Sequence, residues 1–104
     1  MVTEEELQTF EPGMAQKIRE CIANRDKAAD SNNYELVVTL RDAIEFLRDK
    51  AREYRQCLHL KSLAIENEDY EVAKRLKFQI ENMRKHIAYG YGIDSATGKI
   101  FERS

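Results

Sequence analysis

The chain has 104 residues, 19 acidic and 17 basic, with one Pro, four Gly, two Cys and no Trp. That is room for one small domain, and so few turn residues beside a 35% charged content point to long solvated helices, not a sandwich or barrel. A deep catalytic cleft needs more chain, so the composition leans away from an enzyme. A net charge of −2 argues against a free-standing nucleic-acid binder, whose affinity rests on phosphate contacts.

No apolar run is long enough to span a bilayer. The start, Met1-Val2-Thr3-Glu4-Glu5-Glu6, lacks the basic flank and apolar stretch of a signal peptide. Two cysteines are too few for a disulfide framework. The expectation is a cytoplasmic chain in a reducing setting with no membrane partner.

In chain order, residues 1–13 form an acidic segment. Thr3-Glu4-Glu5-Glu6 fits a capping box, which predicts a short helix over 4–10, broken at Glu11-Pro12-Gly13. Residues 14–88 carry 15 Lys or Arg against 13 Asp or Glu, so this body is mildly basic. It is also duplicated. Ile18–Arg48 aligns without gaps over Tyr54–Arg84, a period of 36 residues, with nine of 31 pairs identical, including Cys21/Cys57, Tyr34/Tyr70, Leu40/Leu76, Ile44/Ile80 and Arg48/Arg84. Average residue usage gives roughly two identities by chance.

Each repeat reads as a helical hairpin. The first predicted helix covers about Gly13–Asp30, with Ile18, Cys21, Ile22, Ala28 and Ala29 on one stripe. Ser31-Asn32-Asn33 is a turn, Asn33 capping a helix that carries Val37, Leu40, Ile44 and Leu47 at seam spacing. The second repeat copies this with Tyr54, Cys57, Leu58, Ala64 and Ile65, a turn at Asn67-Glu68-Asp69 capped by Asp69, and then Ala73, Leu76, Ile80 and Met83. Leu40, Ile44, Leu76 and Ile80 are the expected seam.

No Gly or Pro lies between Leu36 and Ile65, which predicts that the inner helices fuse into one rod over about Tyr34–Glu66, roughly 50 Å long. The fold class is then all-α, two tandem helical hairpins sharing a long central helix. The hairpins either stay extended along that rod or close into a compact three-helix bundle. Residues 89–104 form an extended, turn-rich tail. Tyr89, Tyr91, Ile93 and Phe101 have no evident apolar complement in the chain, which makes the tail a candidate docking segment that gains order on a partner.

The segment Glu68-Asp69-Tyr70-Glu71-Val72-Ala73-Lys74-Arg75-Leu76-Lys77-Phe78-Gln79-Ile80 resembles the UVR motif, a helical hairpin with an acidic-aromatic-Glu turn followed by Ala and a Leu-basic-x-x-Ile run. Asn33-Tyr34-Glu35 and Leu40-Arg41-Asp42-Ala43-Ile44 match it again, with Val37 where the motif has Ala. Bacterial UvrB and UvrC pair through such hairpins in excision repair. The tandem arrangement, with its Ala15-Gln16-Lys17-Ile18-Arg19 start, is similar to the coiled-coil region of the eukaryotic ciliary-tip centrosomal family that also carries jelly-roll, tubulin-binding TOG and zinc-finger parts. Those parts are not in this chain, so the resemblance implies an interaction module. Its expected partners are tubulin or axonemal and centrosomal proteins, in the cytoskeleton of the cilium or centrosome. The alternative it implies is a UVR-type adaptor in DNA repair or protein quality control.

No residue set predicts catalysis, a cofactor or a metal. Cys21 and Cys57 sit on the apolar stripe as small buried hydrophobes. His59 follows Cys57 by two positions, on a different helix face, and no Cys-x-x-Cys or His pair supplies a zinc site. Gly92-Ile93-Asp94-Ser95-Ala96-Thr97-Gly98-Lys99-Ile100 has one residue too many between its glycines for a phosphate loop and Ile where Ser or Thr would hold magnesium. Tyr34 and Tyr70 are expected to pack across the hairpin ends. The basic residues form either a solvated face or a docking surface for an acidic protein. On that second reading Arg48, Arg52 and Arg55 of the central helix and Lys74 and Lys77 of the last helix join the tail residues as candidate partner contacts.

Overall fold

The computed structural model describes residues 2–85, 91–93 and 99–102. Four helices follow one another: α1 (Glu4–Gln8), α2 (Pro12–Asp30), α3 (Tyr34–Glu66) and α4 (Tyr70–Lys85). In the tail, β1 (Tyr91–Ile93) pairs antiparallel with β2 (Ile100–Glu102), Gly92 opposite Phe101.

Local chemistry sets each boundary. The Thr3 hydroxyl accepts from the Glu6 N–H at 3.2 Å and starts α1. That helix ends at Gln8, sooner than expected, because the Thr9 hydroxyl donates back to the Glu6 carbonyl at 2.6 Å and the Thr9 N–H folds back on the same turn. Glu11-Pro12-Gly13 does more than break the chain. The Glu11 carboxylate accepts from the Met14 N–H at 2.9 Å and caps α2, with Pro12 at its first turn, where a missing N–H is harmless.

The two hairpin turns are built alike. Asn32 and Glu68, 36 residues apart, are the two non-glycine residues with positive φ among the described residues, at 58° and 57°. Each is framed by the same pair of bonds: Asn33 N–H to Ala28 carbonyl at 2.8 Å and Asn32 N–H to Ala29 carbonyl at 3.1 Å in the first, Asp69 to Ala64 at 2.8 Å and Glu68 to Ile65 at 3.1 Å in the second. This is the Schellman arrangement, which satisfies the last carbonyls of a helix. The Asn33 and Asp69 side chains then accept from the Leu36 and Val72 N–H groups and start α3 and α4.

Of the two possible arrangements, the shared rod is found. Both α2 and α4 lie along α3, and the molecule measures 55 × 31 × 17 Å. Because α2 and α4 run antiparallel to α3, the start of α2 and the end of α4 converge on its middle. The core is centred there. Met14, Ile18 and Cys21 of α2 meet Leu47, Ala51, Tyr54 and Cys57 of α3 and Ile80 of α4. Leu7 and Phe10 from the acidic N-terminal segment belong to the same cluster. Beyond this waist the first hairpin buries Ala28, Leu40 and Ala43, and the second only the small Ala64 and Ala73.

The expected stripe is correct for most of its length and overdrawn at Ala29 and along the second hairpin. Leu40, Ile44 and Ile80 are buried, whereas Leu76 is only half-buried, and Leu58, Ile65 and Ala29 are exposed. A helix with neighbours on one side cannot bury an apolar arc wider than its contact. Along the second half of α3, α4 covers Cys57 and Ala64, leaving Leu58 and Ile65 outside. Tyr34 and Tyr70 are each 64% exposed, contrary to the expected packing, and the Tyr34 hydroxyl donates to Asn32 Oδ1 at 3.1 Å. Each opens a helix at a hairpin tip.

Candidate functional site

The candidate contacts fall into distinct places. Arg52 and Arg55 face α1. Arg52 Nε donates to Glu6 Oε1 at 2.7 Å, and Nη2 lies 2.7 Å from the same oxygen as an ion pair. Arg55 donates to the Thr9 hydroxyl and lies over the Phe10 ring, 5.4 Å from its centre. Arg19 of α2 adds a 2.7 Å pair to Glu4. These contacts hold an acidic, apolar-anchored segment across the α2–α3 hairpin, with Leu7 and Phe10 inserted beneath it. The chain thus already carries one acidic segment docked on its own basic helices. Lys74 and Lys77 are exposed on α4. In the tail, Tyr91, Ile93 and Phe101 belong to the strand pair, and Tyr89 lies outside the described residues.

Arg48 differs from its neighbours. It borders a groove of about 160 Å³ between α2 and α3 that Val2, Ile22, Arg25, Arg41, Ile44 and Glu45 also line. The Arg48 Nε atom is buried and has no hydrogen-bond partner among the described residues. Arg25 and Arg41 each touch an adjacent carboxylate, Asp26 at 3.5 Å and Asp42 at 3.4 Å, both long and solvent-exposed pairs. The repeat explains the unpaired nitrogen. Its counterpart Arg84 donates to the Tyr54 hydroxyl, and the residue equivalent to Tyr54 in the first repeat is Ile18, which offers no acceptor.

Arg25 and Arg41 escape a reading based on identities. A signal was present nonetheless: Arg25 aligns with Lys61 and Arg41 with Lys77, so positive charge recurs at both positions although the residue changes. Only the packing brings Arg25 of α2 opposite Arg41 and Arg48 of α3.

The second repeat also exposes large apolar side chains. Leu58, Leu60, Leu63 and Ile65 on α3 are 39%, 41%, 39% and 48% exposed, and Phe78 on α4 is 67% exposed. The first repeat has Asn24, Lys27 and Asp42 where the second has Leu60, Leu63 and Phe78.

Both cysteines are buried and unpaired. Burial, aided by Glu20, pushes the Cys21 thiol up to about 11, and burial also raises Cys57. Neither is primed as a nucleophile. Among the described residues no group of His, Cys, Asp and Glu could hold a metal ion, and no helix is long and apolar enough to cross a membrane. Of the phosphate-loop-like stretch, Gly92, Ile93 and Ile100 lie in the strand pair, and 94–98, like His86, fall outside the described residues. No protein-family model, no curated protein and no solved structure matches the chain.

Proposed function

We propose that this chain is a non-enzymatic adaptor of the cilium, axoneme or centrosome, binding tubulin or microtubule-associated proteins through its helical faces and C-terminal tail. The observation that carries the adaptor reading is the set of exposed apolar side chains in the second repeat. Leu60, Leu63 and Phe78 replace polar residues of the first repeat, and all three are exposed. Exposed large apolar side chains favour association. The cytoskeletal setting rests on the resemblance of the tandem hairpins to the ciliary-tip family.

The test is proximity labelling and axoneme purification from ciliated cells expressing the tagged full chain, beside a Leu60→Ser/Leu63→Ser/Phe78→Ser variant. These positions are outside the core, so helicity should be kept. Axonemal enrichment lost in the variant supports the reading. Enrichment with repair nucleases instead would move the chain to the repair-adaptor class, and enrichment unaffected by the variant would remove the apolar surface from the interface.

A further inference from the structure

We propose that the tip of the second hairpin, the turn at residues 67–69 with the helix ends it joins, is a docking site for a basic peptide segment of a partner protein that presents an apolar side chain between its cations. The inference rests on the adaptor reading and names the chemistry of its partner.

The site is defined by where the two repeats differ on one shared frame. At the first tip, Asn24, Lys27, Ala28, Ser31, Asn33 and Leu36 line a groove of about 260 Å³ between the end of α2 and the start of α3. The second tip has the same turn, with matching backbone hydrogen bonds and a positive φ at the equivalent residue. Leu60, Leu63, Ala64 and Val72 therefore take the places of Asn24, Lys27, Ala28 and Leu36. Two polar positions have become leucines three residues apart on one face of α3, 41% and 39% exposed, and Val72 of α4 is half-buried as Leu36 is.

The charge changes with them. Residues 62–73 carry Glu66, Glu68, Asp69 and Glu71, all exposed, and no base, a net of −4. The equivalent residues 26–37 carry three acids and Lys27, a net of −2. Among the described residues none of the four second-tip carboxylates forms an ion pair, although Asp69 Oδ1 caps α4. The nearest bases in sequence, Lys61, Lys74 and Arg75, stand toward the waist and pair with none of them. Glu68 also keeps its charge in the left-handed conformation, where the Asn32 of the first repeat sits with less strain. Exposed leucines beside unpaired carboxylates suit an apolar side chain flanked by Lys or Arg and repel an acidic occupant.

The experiment is calorimetric titration of the full chain with a synthetic peptide, one central Leu between runs of Lys, at low and raised salt. Saturable binding that weakens with salt is expected. The second-tip variants restore first-repeat residues, which the same turn already accommodates, and circular dichroism checks that helicity is kept. Leu60→Asn with Leu63→Lys should weaken binding about tenfold. Glu68→Asn with Asp69→Asn retains a capping side chain and should weaken binding several-fold while flattening its salt dependence. Removing two acids from the first tip, by Asp30→Asn with Glu35→Gln, should leave binding as it was. A peptide with Ser for the central Leu should bind more weakly. The proposal is overturned if the Leu peptide does not bind, if either second-tip pair binds it like the parent chain, if the first-tip pair weakens binding as much, or if the Ser peptide binds equally well. Failure of the peptide to bind, while axonemal enrichment still depends on Leu60, Leu63 and Phe78, overturns the basic occupant and leaves the adaptor reading standing. Peptide binding with the expected variant effects, but enrichment unchanged by Leu60→Ser/Leu63→Ser/Phe78→Ser, removes the cytoskeletal setting and leaves the tip site standing.

Discussion

The Arg84 guanidinium donates from both Nε and Nη2 to the Tyr54 hydroxyl, at 3.3 and 3.2 Å. This contact ties the last turn of α4 to the middle of α3, beside the start of α2. The hydrogen bond to Tyr54 keeps Arg84 protonated to higher pH than a free guanidinium, with Glu81 and Glu11 contributing. Glu11 caps α2, so the end of one hairpin feels the beginning of the other.

Tyr54 is therefore the residue whose loss should unsettle both hairpins together. Its ring is 4% exposed and lies in the shared core. Tyr54→Ala should cost about 3–5 kcal/mol, as for other buried aromatics, and thermal unfolding should remain a single transition at a lower midpoint. Tyr54→Phe keeps the ring and removes only the acceptor, so its midpoint should fall much less. Two separated transitions in either variant would show that the hairpins fold independently.

Leu47 and Leu76 offer a paired test of where the core ends. Leu47 is fully buried at the waist, and Leu47→Ala should cost about 2–5 kcal/mol. Leu76 is half-buried, so Leu76→Ala should cost less, on the order of 1 kcal/mol, in proportion to the smaller apolar area it removes from water. Chemical denaturation of both variants measures the difference. Equal losses would place Leu76 in a better-packed site than its exposure indicates.

Glu68 occupies the left-handed region at φ 57°, where a side chain crowds the following carbonyl. Its counterpart Asn32 tolerates this conformation better. Glu68→Gly should stabilise the chain by about 0.5–1 kcal/mol, relief of the strain outweighing the greater freedom of glycine in the unfolded chain. Asn32→Ala should destabilise it. Urea midpoints of the two variants, expected to move in opposite directions, decide the point.

The buried thiols give a pH-dependent outcome. Cys21 is fully buried and its thiol is pushed from 9.0 to about 11. A group whose folded value is raised holds its proton longer in the native state than in the unfolded chain. Stability is thus unaffected below about pH 9 and declines as pH rises through the window from 9.0 to about 11. Alkylation by iodoacetamide should be slow in the native protein and fast in urea, with a denaturant dependence that follows unfolding. Rapid native labelling of Cys21 would contradict its place in the core.

The sequence by itself determined the duplicated hairpin, the two turns, their Asn and Asp caps and the long central helix. All depend on interactions within a few residues, and the 36-residue repeat states them twice. Gly and Pro are missing from Leu36 to Ile65, so nothing local interrupts the rod. Tertiary structure decided what periodicity leaves open. It placed both outer helices along α3, giving an extended shape because the contacts of each hairpin run to a different half of one helix. It drew Leu7 and Phe10 of the acidic segment into the core, a burial that follows from the convergence of α1, α2 and α4 at Tyr54 and not from local spacing. It also exposed Leu58 and Ile65, which lie on the predicted stripe but beyond the arc that α4 covers. The groove has the same origin. Arg25 is 16 residues from Arg41 and 23 from Arg48, and only antiparallel packing of α2 on α3 lines one groove with all three, leaving Arg48 Nε without the hydroxyl that Tyr54 gives Arg84.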